Sequence, residues 1–186
     1  SYVFDFVGSG LERGYPDSQG FKDKITVPFC PESKLSGVGY TDFINNIWYQ
    51  RPIEMPAAWA GRQVMLNFGA VYYNSEVYID GKLAGRHFGG STSFAIDVTR
   101  FIADGKKRSL VVHAYSDPRT LKQPAGKQNI RLNQFECMYT RTTGIWQTVW
   151  MENVPERYIR GYKVVTDIDK GTAKIDFDIA GGGDVA

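Results

Sequence analysis

The strongest structural signal in the chain runs from Arg62 to His87 and reads RQVMLNFGAVYYNSEVYIDGKLAGRH. Within it, the apolar residues Val64, Leu66 and Phe68 stand at every second position. Because a strand places successive side chains on opposite faces, this period indicates a strand with one face against a core.

The same stretch also contains a hairpin signal. Asp80-Gly81 separates two further strand-like runs, and this pair accepts the positive φ angles that a tight hairpin turn requires. We therefore predict that residues 76–79 pair with residues 82–87 in an antiparallel ladder.

Short strands of this kind are predicted along most of residues 1–155, with glycine, proline and polar turn residues between them. No apolar i, i+3, i+4, i+7 pattern continues for three helical turns, and residues 98–103 carry at most one turn. The fold class is therefore all-β, an antiparallel sandwich or jelly roll with two sheets about 10 Å apart. Residues 1–20 are expected to be irregular. The further strands are predicted at 21–27, 46–54, 94–98, 110–115 and 145–152.

The composition excludes several classes of partner. The 22 basic and 20 acidic residues give a formal net charge of +2, and the densest basic cluster, residues 106–108, is a charged turn before a strand. The two histidines and two cysteines lack the close spacing of a zinc site, and Cys30 and Cys137 are expected to be buried free thiols. No apolar run approaches the roughly 20 residues that span a bilayer. We predict no nucleic-acid or membrane partner, no metal and no cofactor.

The segment after Pro155 has the pattern of a separate unit. Residues 158–166 and 172–179 are two alternating strands, and the charged turn between them contains Gly171. Because a lone hairpin is marginal in water, it packs on the first domain or belongs to a second one. We favour the second interpretation, with domains at 1–155 and 156–186. The chain starts without methionine and ends near three glycines, so we expect both ends to be boundaries, and periplasmic, secreted and cytoplasmic locations stay open.

A long polar loop at residues 117–133 is the candidate ligand-binding segment. Glycoside hydrolysis needs two carboxyl groups, about 5 Å apart in retaining enzymes. Asp117 and Glu136 bracket this loop, whose amide and basic side chains could hydrogen-bond sugar hydroxyls. A solvated polar loop is the other interpretation, and composition alone favours it. No nucleophile elbow, phosphate-binding loop or dinucleotide motif occurs, so the residues by themselves indicate only a soluble β-sandwich.

Four stretches in consistent order resemble glycoside hydrolase family 2. In the strongest, an aromatic residue precedes a small-Gly-Ile-aromatic step and a valine-containing strand, as in the family. In another, Asp80-Gly81 stands where the family usually has Asn-Gly at the turn of a strand pair. The resemblance covers roughly residues 20 to 155. The four stretches are 28–39 (PFCPESKLSGVG), 48–51 (WYQR), 68–87 and 139–152 (YTRTTGIWQTVWME).

The resemblance implies the sugar-binding jelly-roll domain of a β-galactosidase or β-glucuronidase, followed by the first strands of an immunoglobulin-like sandwich. In the family both catalytic glutamates lie in a downstream TIM barrel, so this chain alone is expected to be inactive within a parent O-glycosyl hydrolase. The implied partners are that catalytic domain and, through the parent enzyme, a β-galactoside or β-glucuronide. A homo-oligomer of the full-length protein is one arrangement that the resemblance allows.

Relatives extend a loop of this domain over the barrel mouth, and residues 117–139 match that loop. Ser116-Asp117 matches the family's Ser-Asp, and residues 126–128 match a Gly-Lys-Gln of one branch. Well-known β-galactosidases place an Asp just before the aromatic residue of the Gly-Ile motif; Glu136 is the nearest carboxylate here but is out of register, so that role is not carried over. No catalytic residue is expected. The candidate pocket-loop residues are Asp117, Lys127, Gln128, Glu136 and Arg141.

Two other functions stay open. One is an autonomous carbohydrate-binding module or lectin, which would expose an aromatic ring for stacking on a sugar. The other is an adhesion or assembly sandwich without a sugar role. Trp146 and Trp150 stand four residues apart on one predicted strand, so we expect both on the same side and in the core.

Overall fold

The structure is a computed structural model that describes residues 1–181. It contains twelve strands, one α-helical turn and four 3₁₀ turns. The strands are β1 (Tyr2–Phe4), β2 (Asn46–Ile53), β3 (Gln63–Phe68), β4 (Val71–Tyr72), β5 (Asn74–Ile79), β6 (Lys82–Phe88), β7 (Phe94–Asp97), β8 (Arg108–Tyr115), β9 (Gly144–Ile145), β10 (Val149–Val154), β11 (Tyr158–Asp167) and β12 (Thr172–Ala180). The helical turns are α1 (Thr99–Ile102) and the 3₁₀ turns Tyr15–Asp17, Lys34–Ser36, Ala57–Trp59 and Pro118–Thr120.

Two antiparallel sheets form the sandwich. One has five strands in the order β1-β2-β8-β5-β6, and the other has three in the order β10-β3-β7. The short pair β4–β9 and the hairpin β11–β12 form two further ladders. This architecture confirms the predicted all-β antiparallel jelly-roll sandwich. The helical segments of residues 1–181 are single turns, and none has the length or hydropathy of a transmembrane span.

The alternating residues of β3 point into the sandwich, as predicted. Val64, Leu66 and Phe68 are at most 1% exposed and belong to one core cluster with Val77 of β5 and Val112 of β8. The hairpin turn is also confirmed, because β5 pairs with β6 on either side of Asp80-Gly81, beginning with Ile79 opposite Lys82. Local patterning therefore specified both halves of this central region.

A second, smaller core lies on the outer face of the five-stranded sheet. Trp48, Tyr78 and Val111 are buried there, and Tyr15 and Phe21 from the N-terminal segment pack over them. This cover explains why β2 is buried on both faces, since inward Ile47 and outward Trp48 are each at most 1% exposed.

The N-terminal segment differs from the prediction. Residues 21–27 do not form a strand, and their one ladder contact is a bridge between Asp23 and Tyr2, which lies in the short strand β1 of the supposedly irregular start. The physical reason is that Phe21 packs on the outer-face cluster whereas Ile25 packs on the inner core. The segment therefore crosses from one side of the sheet to the other instead of running along it.

The strand predicted at 145–152 is broken in two. β9 ends at Ile145, and β10 begins in a different sheet after a gap of three residues. The indole nitrogen of partly buried Trp146 donates to the backbone oxygen of Gly90 at 2.7 Å, whereas Trp150 is 42% exposed. The two indoles do not share a side of one strand, so the expectation of a core position for Trp150 was wrong.

The cysteines differ from each other. Cys30 is partly buried and Cys137 is exposed, and both are free thiols. The expectation that both would be buried was therefore wrong for Cys137. Cys137 lies in the segment between β8 and β9 and not in a strand, which accounts for its exposure.

The hairpin β11–β12 forms at the predicted place and has one apolar face. Tyr162 pairs with Phe177, and Val164 pairs with Ile175. Directly opposed residues share a face, and these four side chains are between 47% and 71% exposed.

Candidate functional site

The segment that joins β8 to β9 is the candidate site, and its start is closely braced. The Asp117 carboxylate accepts a hydrogen bond from the backbone nitrogen of Arg119 at 3.2 Å and thereby caps a 3₁₀ turn. The Gln123 side chain accepts from the backbone nitrogen of Asp117 at 3.0 Å and donates to the Ser116 hydroxyl at 3.1 Å. Asp117 therefore acts in folding the start of this loop.

The later part of the loop closes on itself. The backbone nitrogen of Asn129 donates to the backbone oxygen of Tyr139, and the backbone nitrogen of Tyr139 donates to the backbone oxygen of Lys127, both at 2.8 Å. The Gln128 side-chain oxygen accepts from the backbone nitrogen of Thr142, also at 2.8 Å. These three bonds join residues 127–129 to residues 139–142 in a short ribbon.

Arg141 lies beneath this ribbon and is 3% exposed. Its guanidinium donates to the backbone oxygens of Asn129 at 3.1 Å, of Arg131 at 2.7 Å, and of Thr41. Burial lowers the pKa of Arg141 from its ordinary value. Because its hydrogen bonds join loop backbone to Thr41, the buried Arg141 side chain stabilises the conformation of the loop.

Phe43 connects both ends of the loop to the segment that leads into β2, which is the neighbour of β8 in the five-stranded sheet. The guanidinium carbon of Arg141 lies 4.1 Å from the centre of the Phe43 ring, and that of Arg119 lies 4.4 Å from it. Arg119 also donates to the Asn45 side-chain oxygen at 3.0 Å. Residues 41–45, which directly precede β2, therefore hold the start and the end of the loop together.

Lys127, Glu136 and Tyr139 are among the loop residues whose side chains reach solvent. Lys127 and Glu136 are exposed, and Glu136 has a backbone φ of 49°. Tyr139 is 59% exposed even though its backbone is held in the ribbon. Sequence reasoning assigned no role to Tyr139 or Phe43; an aromatic residue inside a polar loop is the signal that could have drawn attention to Tyr139.

A buried carboxyl group lies under the end of the loop. Glu32 is 7% exposed, and its carboxylate accepts from the backbone nitrogen of Thr143 at 3.2 Å. Burial raises the pKa of Glu32, and burial together with the nearby Glu32 charge raises the pKa of the Cys30 thiol to about 11. Burial thus makes the charged form of each group less favourable than it is in water.

A cleft of about 730 Å³ opens at a different place, on the edge of the sandwich. It is lined by residues 24–28, 50–54 and 148–151 and reaches the core side chains of Leu66 and Val112. None of the five candidate residues lines it. Within residues 1–181, no group of three or more His, Cys, Asp or Glu side chains is arranged to hold a metal ion.

Comparison with known families identifies the sandwich. The family model described as "Glycosyl hydrolases family 2, sugar binding domain" matches residues 37–155. The match extends from the loop before β2 to the end of β10 and includes every residue of the candidate site.

Individual relatives have the same character. The chain is 31% identical over 120 residues to a putative beta-glucuronidase of Formosa agariphila, covering 64% of this chain and 13% of the relative. It is 26% identical to a beta-galactosidase of Thermoanaerobacter pseudethanolicus, covering 69% and 16% respectively. A Ruminococcus gnavus beta-glucuronidase solved with D-glucuronic acid has the same fold, with a TM-score of 0.73 at 19% identity, covering 97% of this chain and 33% of that one. The chain thus spans a third or less of the length of these proteins.

Proposed function

The chain belongs to the glycosyl hydrolase family 2 sugar-binding domains, and from this premise we propose that it is a non-catalytic wall of the sugar pocket in an O-glycosyl hydrolase. The catalytic residues then reside in a downstream domain of the same enzyme. Relatives named beta-glucuronidase and beta-galactosidase support a β-glucuronide or β-galactoside as the substrate class.

The observation that carries this proposal is the braced loop between β8 and β9. Its backbone is fixed by hydrogen bonds and by buried Arg141, while Lys127, Glu136 and Tyr139 stay exposed. A pre-ordered loop presents its side chains to a ligand without a large loss of conformational entropy on binding. A rigid polar and aromatic edge therefore suits one side of a pocket that another domain completes.

The five candidate residues divide into two groups under this proposal. Lys127 and Glu136 are the ones available to a sugar, because both side chains are exposed. Asp117, Gln128 and Arg141 act by holding the loop in place, since their polar atoms already bond to loop backbone. Tyr139 joins the ligand-facing group as a ring for stacking.

We also propose that residues 156–186 begin a second, immunoglobulin-like domain, of which residues 182–186 lie outside the described structure. The support is the amphipathic hairpin β11–β12. Tyr162, Val164, Ile175 and Phe177 form an exposed apolar face, whereas the opposite face has Lys163 paired with Asp176. A face of this kind suits the inner side of a sheet that packs on a second sheet.

Calorimetric titration of the 186-residue chain with galactose and with glucuronic acid separates the proposed wall from an autonomous module. A wall that supplies only one side of a pocket is expected to give no measurable heat with millimolar sugar. Binding at millimolar or tighter affinity would instead support a carbohydrate-binding module or lectin.

A second experiment tests the wall in the whole enzyme. Lys127→Ala is expected to raise KM about fivefold, the effect of losing one hydrogen bond worth about 1 kcal/mol. Lys107→Ala is the matched control, because Lys107 is also exposed but lies in the segment before β8. Equal kinetics for both variants and the unmodified enzyme would contradict a pocket role for Lys127.

A further inference from the structure

We propose that Arg141 is the positioning residue of the loop between β8 and β9, clamping it to residues 41–45 through the ring of Phe43. The value of this clamp to a sugar pocket rests on the proposed function. The clamp itself is a property of this chain and is tested without sugar.

The hydrogen bonds of Arg141 join two distant parts of the sequence. Two of its carbonyl acceptors, Asn129 and Arg131, are in the loop, and the third, Thr41, comes from the segment that leads into β2. A guanidinium group is planar and carries five N–H donors in a fixed fork. It can therefore meet three backbone oxygens at once, whereas an ammonium group on a flexible stem cannot hold the same directions.

Phe43 gives the clamp its second component. The ring lies within 4.4 Å of two guanidinium carbons, those of Arg119 near the start of the loop and Arg141 at its end. A cation over an aromatic face is attracted by the ring quadrupole, more strongly when it is desolvated. Because Arg141 is buried and Arg119 is exposed, Arg141 is the stronger component.

The clamp controls the exposed groups through one residue. Asn129 is fully buried. Its backbone oxygen accepts a hydrogen bond from Arg141, and its backbone nitrogen donates to the backbone oxygen of Tyr139. Tyr139 in turn donates from its nitrogen to the oxygen of Lys127. Loss of the Arg141 contacts is therefore expected to release Tyr139 and Lys127 together.

Hydrogen–deuterium exchange of the full 186-residue chain tests the clamp. In Arg141→Gln, the amides of Asn129 and Tyr139 are expected to exchange about tenfold faster or more. The reason is that the loop can then open without the free-energy cost of breaking the Arg141 contacts. The amides of Val111 and Val112 in β8 are expected to keep their rates. Unchanged loop exchange, or equal acceleration in the loop and in β8, would overturn the proposal.

Arg131 provides the matched control, because its guanidinium also lies 4.4 Å from an aromatic ring, that of Phe135, but its side chain is exposed. Arg131→Gln is expected to leave the exchange of Asn129 and Tyr139 within about twofold of the unmodified chain. A tenfold acceleration in this variant as well would show that any arginine of the loop has the effect, and would overturn the specific role of Arg141.

Two further variants keep the test decisive if Arg141→Gln folds poorly. Arg141→Lys retains the charge over Phe43 but not the three-way fork, so its loop exchange is expected to lie between those of the unmodified chain and Arg141→Gln. In Arg141→Ala, added guanidinium ion at low millimolar concentration is expected to restore loop protection, whereas ammonium ion is not. Failure of guanidinium to restore it, or equal rescue by ammonium, would contradict positioning by the guanidinium fork.

Discussion

The hydroxyl oxygen of Tyr49 lies 3.2 Å from the backbone nitrogen of Ile145 and accepts its hydrogen bond. Tyr49 is a buried residue of β2, and Ile145 ends β9, so this bond joins the five-stranded sheet to the segment just after the loop. Gly144 stands against the same hydroxyl, with a φ of 68° and an ideal Cβ position only 2.2 Å from the oxygen. The Gly-Ile step is therefore fixed by contact with a tyrosine about a hundred residues earlier in the chain.

The first prediction concerns Gly144→Ala. An alanine at this position must adopt a left-handed backbone conformation, and its Cβ atom clashes with Tyr49. We therefore expect the free energy of unfolding to fall by about 2–4 kcal/mol. Gly126→Ala is the control, since Gly126 has a similar φ of 57° but nothing within 4 Å of its Cβ position, and it should lose only the cost of the left-handed conformation, about 1 kcal/mol. Urea unfolding measures both, and equal losses would contradict the clash.

The second prediction concerns Glu32 and pH. Burial raises the pKa of this carboxyl above its ordinary value of 4.5, so between pH 4.5 and the folded-state pKa the folded state holds a proton that the unfolded state has released. Its contribution to stability is full below pH 4.5 and is lost as pH rises through the folded-state pKa. Glu32→Gln, which keeps an acceptor for Thr143, should therefore gain stability relative to the unmodified chain with rising pH. A difference that is constant with pH would contradict a raised pKa.

The third prediction concerns His113, which has the opposite sign. Its ring stacks on Trp48 with centroids 4.1 Å apart, and burial lowers its pKa below 6.5 despite the opposing effect of Glu76. The stability it contributes is present above pH 6.5 and is lost as pH falls through the folded-state pKa. Titration followed by NMR should give a folded-state pKa under 6.5, and His113→Gln should weaken the loss of stability on acidification. A measured pKa above 6.5 would show that Glu76 outweighs burial.

Features that depend on neighbouring residues in the sequence could be predicted, whereas features that depend on contacts between distant residues could not. Residues 62–87 were predictable because a period of two and an Asp-Gly turn are written within the segment itself. In the segment 21–27, Phe21 and Ile25 pack on different cores, and that choice is made by residues far away in the chain. The contacts of Arg141 form only when residues 41, 129 and 131 meet, so sequence could nominate Arg141 but could not assign it a buried position.

The fourth prediction concerns the two thiols. Cys137 is exposed, whereas Cys30 is partly buried and its pKa is raised to about 11. Since the thiolate is the reactive species, iodoacetamide at pH 8 should modify Cys137 first and Cys30 only slowly, as judged by peptide mass spectrometry. Cys137→Ser should then leave a chain that is modified rapidly only after urea unfolding. Equal labelling of both thiols in the folded chain would be inconsistent with the burial of Cys30.

The fifth prediction tests whether the hairpin β11–β12 is independent of the sandwich. Phe177 is 54% exposed on the apolar face of the hairpin, whereas Phe68 is fully buried in the sandwich core. If residues 156–186 belong to a different domain, Phe177→Ser should change the unfolding free energy of the sandwich by no more than about 0.5 kcal/mol. Phe68→Ala should lower it by about 3–5 kcal/mol through loss of core packing. A loss of more than about 1 kcal/mol for Phe177→Ser would mean that this apolar face is buried on the sandwich in solution, because an exposed side chain has no packing to lose.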